Sequence, residues 1–432
     1  MTDTASADLR HPRDRVLDVI QRIYRYRMTT TSGGNISTRD EAGNIWITPA
    51  RVDKGALVRD DIVCVRPDGT TDGRHPASSE FPFHRAIYRK RPDVNAVVHA
   101  HPNALVAFSV CGQVPDTRMF RQAYHTCGRV GFADYRLPGS ESLGESIAAT
   151  FGEGCDSVIL ENHGVVVGGP DLDVAFQRFE AFEFAARIEI EARRLGKVQT
   201  LSDEQLSRDI GPTTPPEPQP SSTVDNVDRE QRRRLVAFLR RGCEGRLLIS
   251  TEGSFSARVG EDAFVVTPTG YDRERLSEAD LVRVDGGRPE PGKNPSRAAA
   301  AHRAVYQTHP EIGAVVFAHP VHATAFSVTQ AEFDVRTIPE SYVFLRDVRR
   351  APYGMQYDDV DRLATYVDAK TPGVLLQNDG VMIAASDVLD AFDRLEVLEA
   401  TAQAICTAAP LGPIRTMNQD VIDELSEAFG LV

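Results

Sequence analysis

The chain is poor in several features that would settle its function at once. It has no surplus of basic residues, since 49 Lys and Arg stand against 62 Asp and Glu for a formal charge of −13. Gripping a phosphate backbone needs a concentrated basic face, so nucleic acid is not an expected partner. Six cysteines (Cys64, Cys111, Cys127, Cys155, Cys243 and Cys406) are scattered over 432 residues and form no CxxC pair. That pattern speaks against a zinc ribbon or a disulfide framework and suits a reducing, cytoplasmic setting. No apolar run approaches the roughly 20 residues needed to span a bilayer. The opening MTDTASADLRHPRDR carries early acids and no apolar stretch, so neither export nor a membrane anchor is expected.

What is present is ordinary for a globular protein, with 41% hydrophobic and 26% charged residues over a length that suggests two or three domains. From about Arg13 to Tyr26 the apolar positions Val16, Val19, Ile20, Ile23 and Tyr24 recur at helical spacing, ahead of a small-residue loop from Thr29 to Asn35. Strands are expected at Asn44 to Thr48 and Asp61 to Val65, then a polar turn from Asp68 to Arg74. Ser78-Ser79-Glu80 opens a second helix with Phe83, Ile87 and Tyr88 inward, and the apolar run Val97-Val98-His99-Ala100-His101 follows, ending at Pro102. A further strand, Ser157 to Leu160, leads into Glu161-Asn162-His163-Gly164, and Asp171 caps a long helix to about Arg194. Residues 204 to 225 include Pro215-Pro216-Glu217-Pro218-Gln219-Pro220 and read as an extended linker.

After the linker the sequence repeats. HRAIYRKRPDVNAVVHAHPNALVAFSV from His84 aligns without a gap on HRAVYQTHPEIGAVVFAHPVHATAFSV from His302, and ILENHGVVV on LLQNDGVMI. This is one domain duplicated, with expected spans 1–203 and 226–432 joined by 204–225. Strands with helices before and after them indicate a layered α/β domain. The copies differ where chemistry is at stake: Glu80 aligns with Ala298, His99 with Phe317, His101 with His319, and His163 with Asp379. Three of four candidate ligands are missing from the second copy.

In an extended strand His99 and His101 point to the same face, close enough to hold one metal ion. An HxH pair alone is more often a pair of satisfied core histidines; with Glu80 and His163 it becomes a set of one carboxylate and three imidazoles. Such a set suits zinc, manganese, iron or cobalt without choosing among them.

The SGGN loop at 32–35, SSE at 78–80, HAHP at 99–102 and ENHG at 161–164 together resemble the class II aldolase/adducin family, which includes sugar-phosphate aldolases, a ribulose-phosphate epimerase, decarboxylases and dehydratases. The resemblance covers both halves of the chain. It implies a three-layer domain, a central sheet flanked by helices, duplicated in tandem. It makes His99, His101, His163 and Glu80 ligands of one divalent metal per chain, with Glu80 also an acid/base. A cation chelating a carbonyl and a neighbouring hydroxyl stabilises enolate charge, which aldol cleavage and decarboxylation both need.

The resemblance also places substrate against Asn35, Ser78 and Ser79, and implies homo-oligomers in which Tyr124 or Tyr342 acts as a proton donor across an interface. One loop departs from the pattern: the first copy reads Thr48-Pro49-Ala50-Arg51 where the second keeps Thr267-Pro268-Thr269-Gly270. Arg51 brings a planar charged fork suited to a carboxylate. A metal-dependent carbon–carbon lyase acting on a small hydroxy-carbonyl or hydroxy-carboxylate compound is therefore expected. A decarboxylase of a hydroxylated (aromatic) carboxylic acid, a pentulose-phosphate epimerase, an iron-dependent oxygenase and an adducin-like scaffold are the alternatives. His84, retained as His302, reads as structural; His75 and His125 read as surface or loop residues. Glu161 reads either as an orienter of His163 or as an exposed carboxylate.

Overall fold

The computed structural model describes residues 10–208, 217–219 and 225–431. The chain forms two compact units, Met1–Arg187 and Ile188–Val432. In the first, α1 (Pro12–Arg25) buries Val16, Val19, Ile20 and Ile23, as the helical spacing predicts. The sheet strands are β1 (Asn35–Arg39), β2 (Ile45–Ile47), β3 (Val63–Val65), β4 (Thr71–Asp72), β5 (Ala96–Ala100), β6 (Arg129–Ala133), β7 (Cys155–Leu160) and β8 (Gly164–Gly169). Their spatial order is β4-β3-β2-β1-β5-β8-β7-β6, antiparallel except for the β6–β7 pair. The helices are α2 (Phe81–Lys90), α3 (Asn103–Val110), α4 (Arg121–Cys127), α5 (Glu141–Gly152) and α6 (Leu172–Leu195), the last capped by Asp171 through Val174 N–H at 2.8 Å.

The histidine strand β5 is central and buried along its whole length. Val97 faces a core of Phe83, Ile87, Leu143, Ile147 and Phe151 from α2 and α5. By strand alternation His99 shares that face. The expected strand from Asp61 starts only at Val63, because Asp61 ends a 3-10 turn, Arg59–Asp61, where its carboxylate accepts the Val58 N–H.

The second unit repeats the topology strand for strand, with β9 (Ser254–Arg258), β10 (Ala263–Val266), β11 (Val282–Asp285), β12 (Arg288–Pro289), β13 (Ala314–Ala318), β14 (Val348–Ala351), β15 (Gly373–Leu376) and β16 (Val381–Ala385) in the order β12-β11-β10-β9-β13-β16-β15-β14. It holds a core built on Phe255, Val316, Phe326, Leu375, Ile383, Phe392 and Leu398. A layered α/β domain present twice is thus the observed architecture.

One expectation about the connection needs correction. The segment read as extended from 204 starts with a short helix, α7 (Asp203–Ser207), closed by a capping box between Ser202 and Gln205. The compact units themselves divide inside α6, after Arg187. Gln199 N–H donates to the Val328 carbonyl at 2.8 Å, and Asn378 Nδ2 to the Gln199 carbonyl at 3.0 Å. Of the proline-rich run, all but 217–219 lies outside the described residues.

His84 and His302 are fully buried, and burial pushes each ring down to about 3. Unfolded, each titrates near 6.5, so below that pH the unfolded chain takes up protons that the folded one refuses. Stability is whole above pH ~6.5 and falls as pH drops toward ~3, by about 1.4 kcal/mol per pH unit for each ring. Urea midpoints of metal-free protein should decline steadily from pH 6.5 to 4.5; a flat midpoint there contradicts the buried neutral state.

Candidate metal centre

Four short elements converge at the end of β5. His99 ends the buried strand; its Nδ1–H donates to the Val165 carbonyl on β8 at 2.9 Å, which turns Nε2 toward the site. His101 follows two residues later, its ring 4.7 Å from that of His99. A Cβ at Gly33 would lie 2.9 Å from His101 Nδ1, and one at Gly164 2.7 Å from its Cδ2, so glycine at both positions leaves room for this ring.

His163 sits in the β7–β8 turn. Asn162 takes the left-handed conformation there (φ 54°), which asparagine tolerates, and folds His163 back over the end of β5. Its N–H donates to the Ser109 hydroxyl at 3.0 Å, and that hydroxyl donates to the Leu160 carbonyl at 2.6 Å.

Glu80 caps the start of α2, yet its carboxylate makes no capping bond. Oε2 lies 3.3 Å from His99 Nε2 and Oε1 3.5 Å from His163 Nε2. Asn35 Nδ2 donates to Oε2 at 2.6 Å.

One ligand atom from each of His99, His101 and His163 lies within 4.8 Å of the others. Buried within this cluster, His99 Nε2, His101 Nε2 and Glu80 Oε1 have no hydrogen-bond partner among the described residues. Unpaired buried polar atoms are costly. Three imidazole nitrogens facing one another, with the Glu80 carboxylate beside those of His99 and His163, form a donor set that a divalent cation satisfies.

The electrostatics agree. Burial pushes His101 down to about 3 and His163 to about 4, with the neighbouring His99 adding to both. Both rings are therefore neutral at ordinary pH, the form that ligates. Burial opposes ionisation of Glu80, but His99, His163 and the Asn35 amide outweigh it and hold the carboxyl far below the usual range.

The remaining predicted site residues are placed less uniformly. Ser78 is buried, and its hydroxyl accepts the Glu80 N–H at 3.3 Å; Ser79 is exposed. The Thr48–Arg51 loop pairs with the segment leading to Glu80, Ala50 N–H donating to the Pro76 carbonyl at 3.1 Å and Ser78 N–H to the Thr48 carbonyl at 3.2 Å. Arg51 is exposed, holds φ 58°, and its guanidinium has no partner among the described residues.

Tyr124 is 38% exposed on α4, its ring against His125, and no contact among the described residues joins it to the imidazoles. Glu161 accepts the Tyr135 N–H at 2.8 Å and so serves a loop backbone, not His163. The groups that bond the histidines directly, the Val165 carbonyl at the His99 ring and Ser109 at the His163 backbone, leave no mark in the sequence, because a backbone acceptor and an ordinary helix serine carry no signal. In the second unit the equivalent position is closed differently: His319 Nε2 pairs with Asp379 Oδ1 at 3.1 Å, and Gln356 Nε2 donates to the same carboxylate.

The family model described as Class II Aldolase and Adducin N-terminal domain matches residues 14–190 and again 233–406. The chain is 32% identical over 177 residues to the L-fuculose phosphate aldolase of Methanocaldococcus jannaschii, covering 40% of this chain and 92% of that protein. It is 30% identical over 184 residues to the 5-deoxy-D-ribulose 1-phosphate aldolase of Bacillus thuringiensis, covering 41% and 84%. It is 28% identical over 192 residues to the 3-oxo-tetronate 4-phosphate decarboxylase of Haemophilus influenzae, covering 44% and 88%. Among the described residues no helix is long and apolar enough to cross a membrane.

Proposed function

Because the chain belongs to the class II aldolase and adducin family, with both halves matching its model, we propose that it is a divalent-metal-dependent carbon–carbon lyase whose chemistry resides in residues 1–203. Residues 226–432 then serve as a structural copy without a complete ligand set. The observation that supports this reading is the meeting of His99, His101 and His163 with Glu80 beside two of them, where three buried ligand atoms have no hydrogen-bond partner among the described residues. A zinc, manganese, iron or cobalt ion bound there supplies Lewis acidity that stabilises enolate charge. His99, His101 and His163 hold that ion. Glu80, ionised and in reach of two of the imidazoles, takes up and returns a proton at Oε1, the oxygen that accepts no hydrogen bond among the described residues.

Arg51 favours a carboxylated substrate and, with it, decarboxylation as the second reading. A non-glycine residue in the left-handed region costs about 1–3 kcal/mol, and the second copy avoids that cost with Gly270 at φ 76°. An arginine kept in this strained position with its fork unengaged suits a ligand anion. The test is a screen of hydroxylated carboxylic acids and ketose phosphates that records both CO2 and aldehyde release. Arg51→Gly should raise KM for a carboxylated substrate roughly 10–100-fold, since a hydrogen bond to a charged group is worth about 1.5–3 kcal/mol. Its folding stability should be equal or slightly higher. An unchanged KM for the best acid removes the carboxylate reading, and turnover of ketose phosphates alone leaves simple aldol cleavage.

A further inference from the structure

Asn35 and His84, one expected to meet substrate and the other to be structural, are joined by hydrogen bonds. Asn35 is 3% exposed and pairs across the sheet with His99. Its amide meets Glu80 Oε2 at 2.6 Å and His84 Nε2 at 2.5 Å. Only one orientation of the amide works, because its oxygen against an ionised carboxylate would set two acceptors face to face. Nδ2–H therefore donates to Glu80 and Oδ1 accepts from His84 Nε2–H.

His84 is fully buried and neutral, so with Nε2 protonated its Nδ1 accepts, from the Ser37 hydroxyl at 2.7 Å. The Ser37 oxygen in turn accepts from the Tyr88 phenol at 2.6 Å. Every donor in the series Tyr88, Ser37, His84, Asn35 is aimed toward Glu80.

The second unit is an internal control. His302 keeps Ser256 at 2.6 Å, and Ser256 keeps Tyr306 at 2.7 Å. But Ser254 stands where Asn35 does, 2.9 Å from His302 Nε2, and its hydroxyl oxygen accepts from the Thr267 hydroxyl at 3.3 Å, with no carboxylate in the series. The His–Ser–Tyr trio thus belongs to the fold. The extension through an asparagine to a glutamate occurs in the copy that carries the metal-ligand set.

We propose that His84 and Asn35 are positioning residues, which pin Oε2 of Glu80 to a buried, one-way hydrogen-bond series and leave Oε1 as the oxygen that faces the cation or carries the proton. This rests on the metal-dependent reading above. Glu80 is thereby held in one rotamer beside the imidazoles, and its geometry is set from the sheet and α2 behind it, not by the ligand in front.

The test uses the full chain loaded with Co(II) or Zn(II). Asn35→Ser copies Ser254, which the duplicated fold accommodates, and Asn35→Asp keeps the shape but sets a second carboxylate against Glu80. Both should still bind one metal per chain, with affinity in chelator competition lowered roughly 10–100-fold, the range for outer partners of a metal site. The Co(II) absorption spectrum should change, and kcat should fall at least about 10-fold, with KM within threefold. His84→Phe should reproduce the Asn35→Ser loss, and the double variant should lose no more than either single one.

Wild-type affinity and spectrum with a raised KM would make Asn35 a substrate contact and overturn the proposal. Additive losses would show that His84 does not act through Asn35. Should His84→Phe fail to fold, the two Asn35 variants decide the matter. A wild-type chain that binds no metal defeats the parent reading and is told apart by that measurement alone.

Discussion

Replacing His99 with phenylalanine is expected to leave the fold intact and the protein without metal. His99 is fully buried with its ring 5.4 Å from Phe83. Its duplicate, Phe317, occupies the same register position opposite Ser254, is 6% exposed, and packs 5.0 Å from His302. A phenylalanine on this strand is therefore already accommodated once in the chain. The substitution gives up the bond from Nδ1 to the Val165 carbonyl, worth about 1 kcal/mol, and gains apolar area in return. The thermal midpoint should move by only a few degrees. Function should not survive, because the two remaining imidazoles and Glu80 lose the ligand that is most rigidly held. If the cation supplies several kcal/mol of charge stabilisation, activity should fall by a factor of about 10³ or more.

Glu80→Gln separates ligation from proton transfer. The amide oxygen can still accept from Asn35 Nδ2, which leaves the NH2 group where Oε1 faces His163. That group can donate a hydrogen bond but cannot take up a proton. Turnover should drop by about 10²–10⁴, the usual worth of a general acid–base group. Metal should remain bound through three histidines, though less tightly for want of the negative charge. Measured kcat with metal content held equal is the deciding quantity; near-normal kcat at full occupancy would move the proton-transfer role elsewhere, for instance to Tyr124 of a neighbouring copy.

Much of this site is legible in the sequence, for reasons that can be traced. The period-two spacing of His99 and His101 on an apolar run specifies a shared face, and the duplicate with Phe317 separates fold from chemistry on one strand. His163 is farther along the chain, and its arrival depends on a left-handed asparagine in a tight turn, a feature that Asn378 repeats at φ 51°.

What the sequence leaves hidden is mostly set by cross-strand register and backbone acceptors. Asn35 and His84 lie 49 residues apart, so nothing in either motif announces their bond. The early end of the extended linker has a different cause. The Ser202–Gln205 capping box is a helix-start signal, but the prolines that follow it favour extended backbone. The break between compact units falls within an unbroken helix, where periodicity gives no sign of a boundary.

The most direct test is metal analysis of the purified full chain beside its His99→Phe variant, after equilibration with zinc, manganese, iron or cobalt and removal of loose ions. The site described predicts one tightly bound ion per wild-type chain and none in the variant, with both proteins unfolding cooperatively at similar temperatures. A wild-type chain that retains no stoichiometric metal, or a His99→Phe chain that retains as much as the wild type, would contradict it.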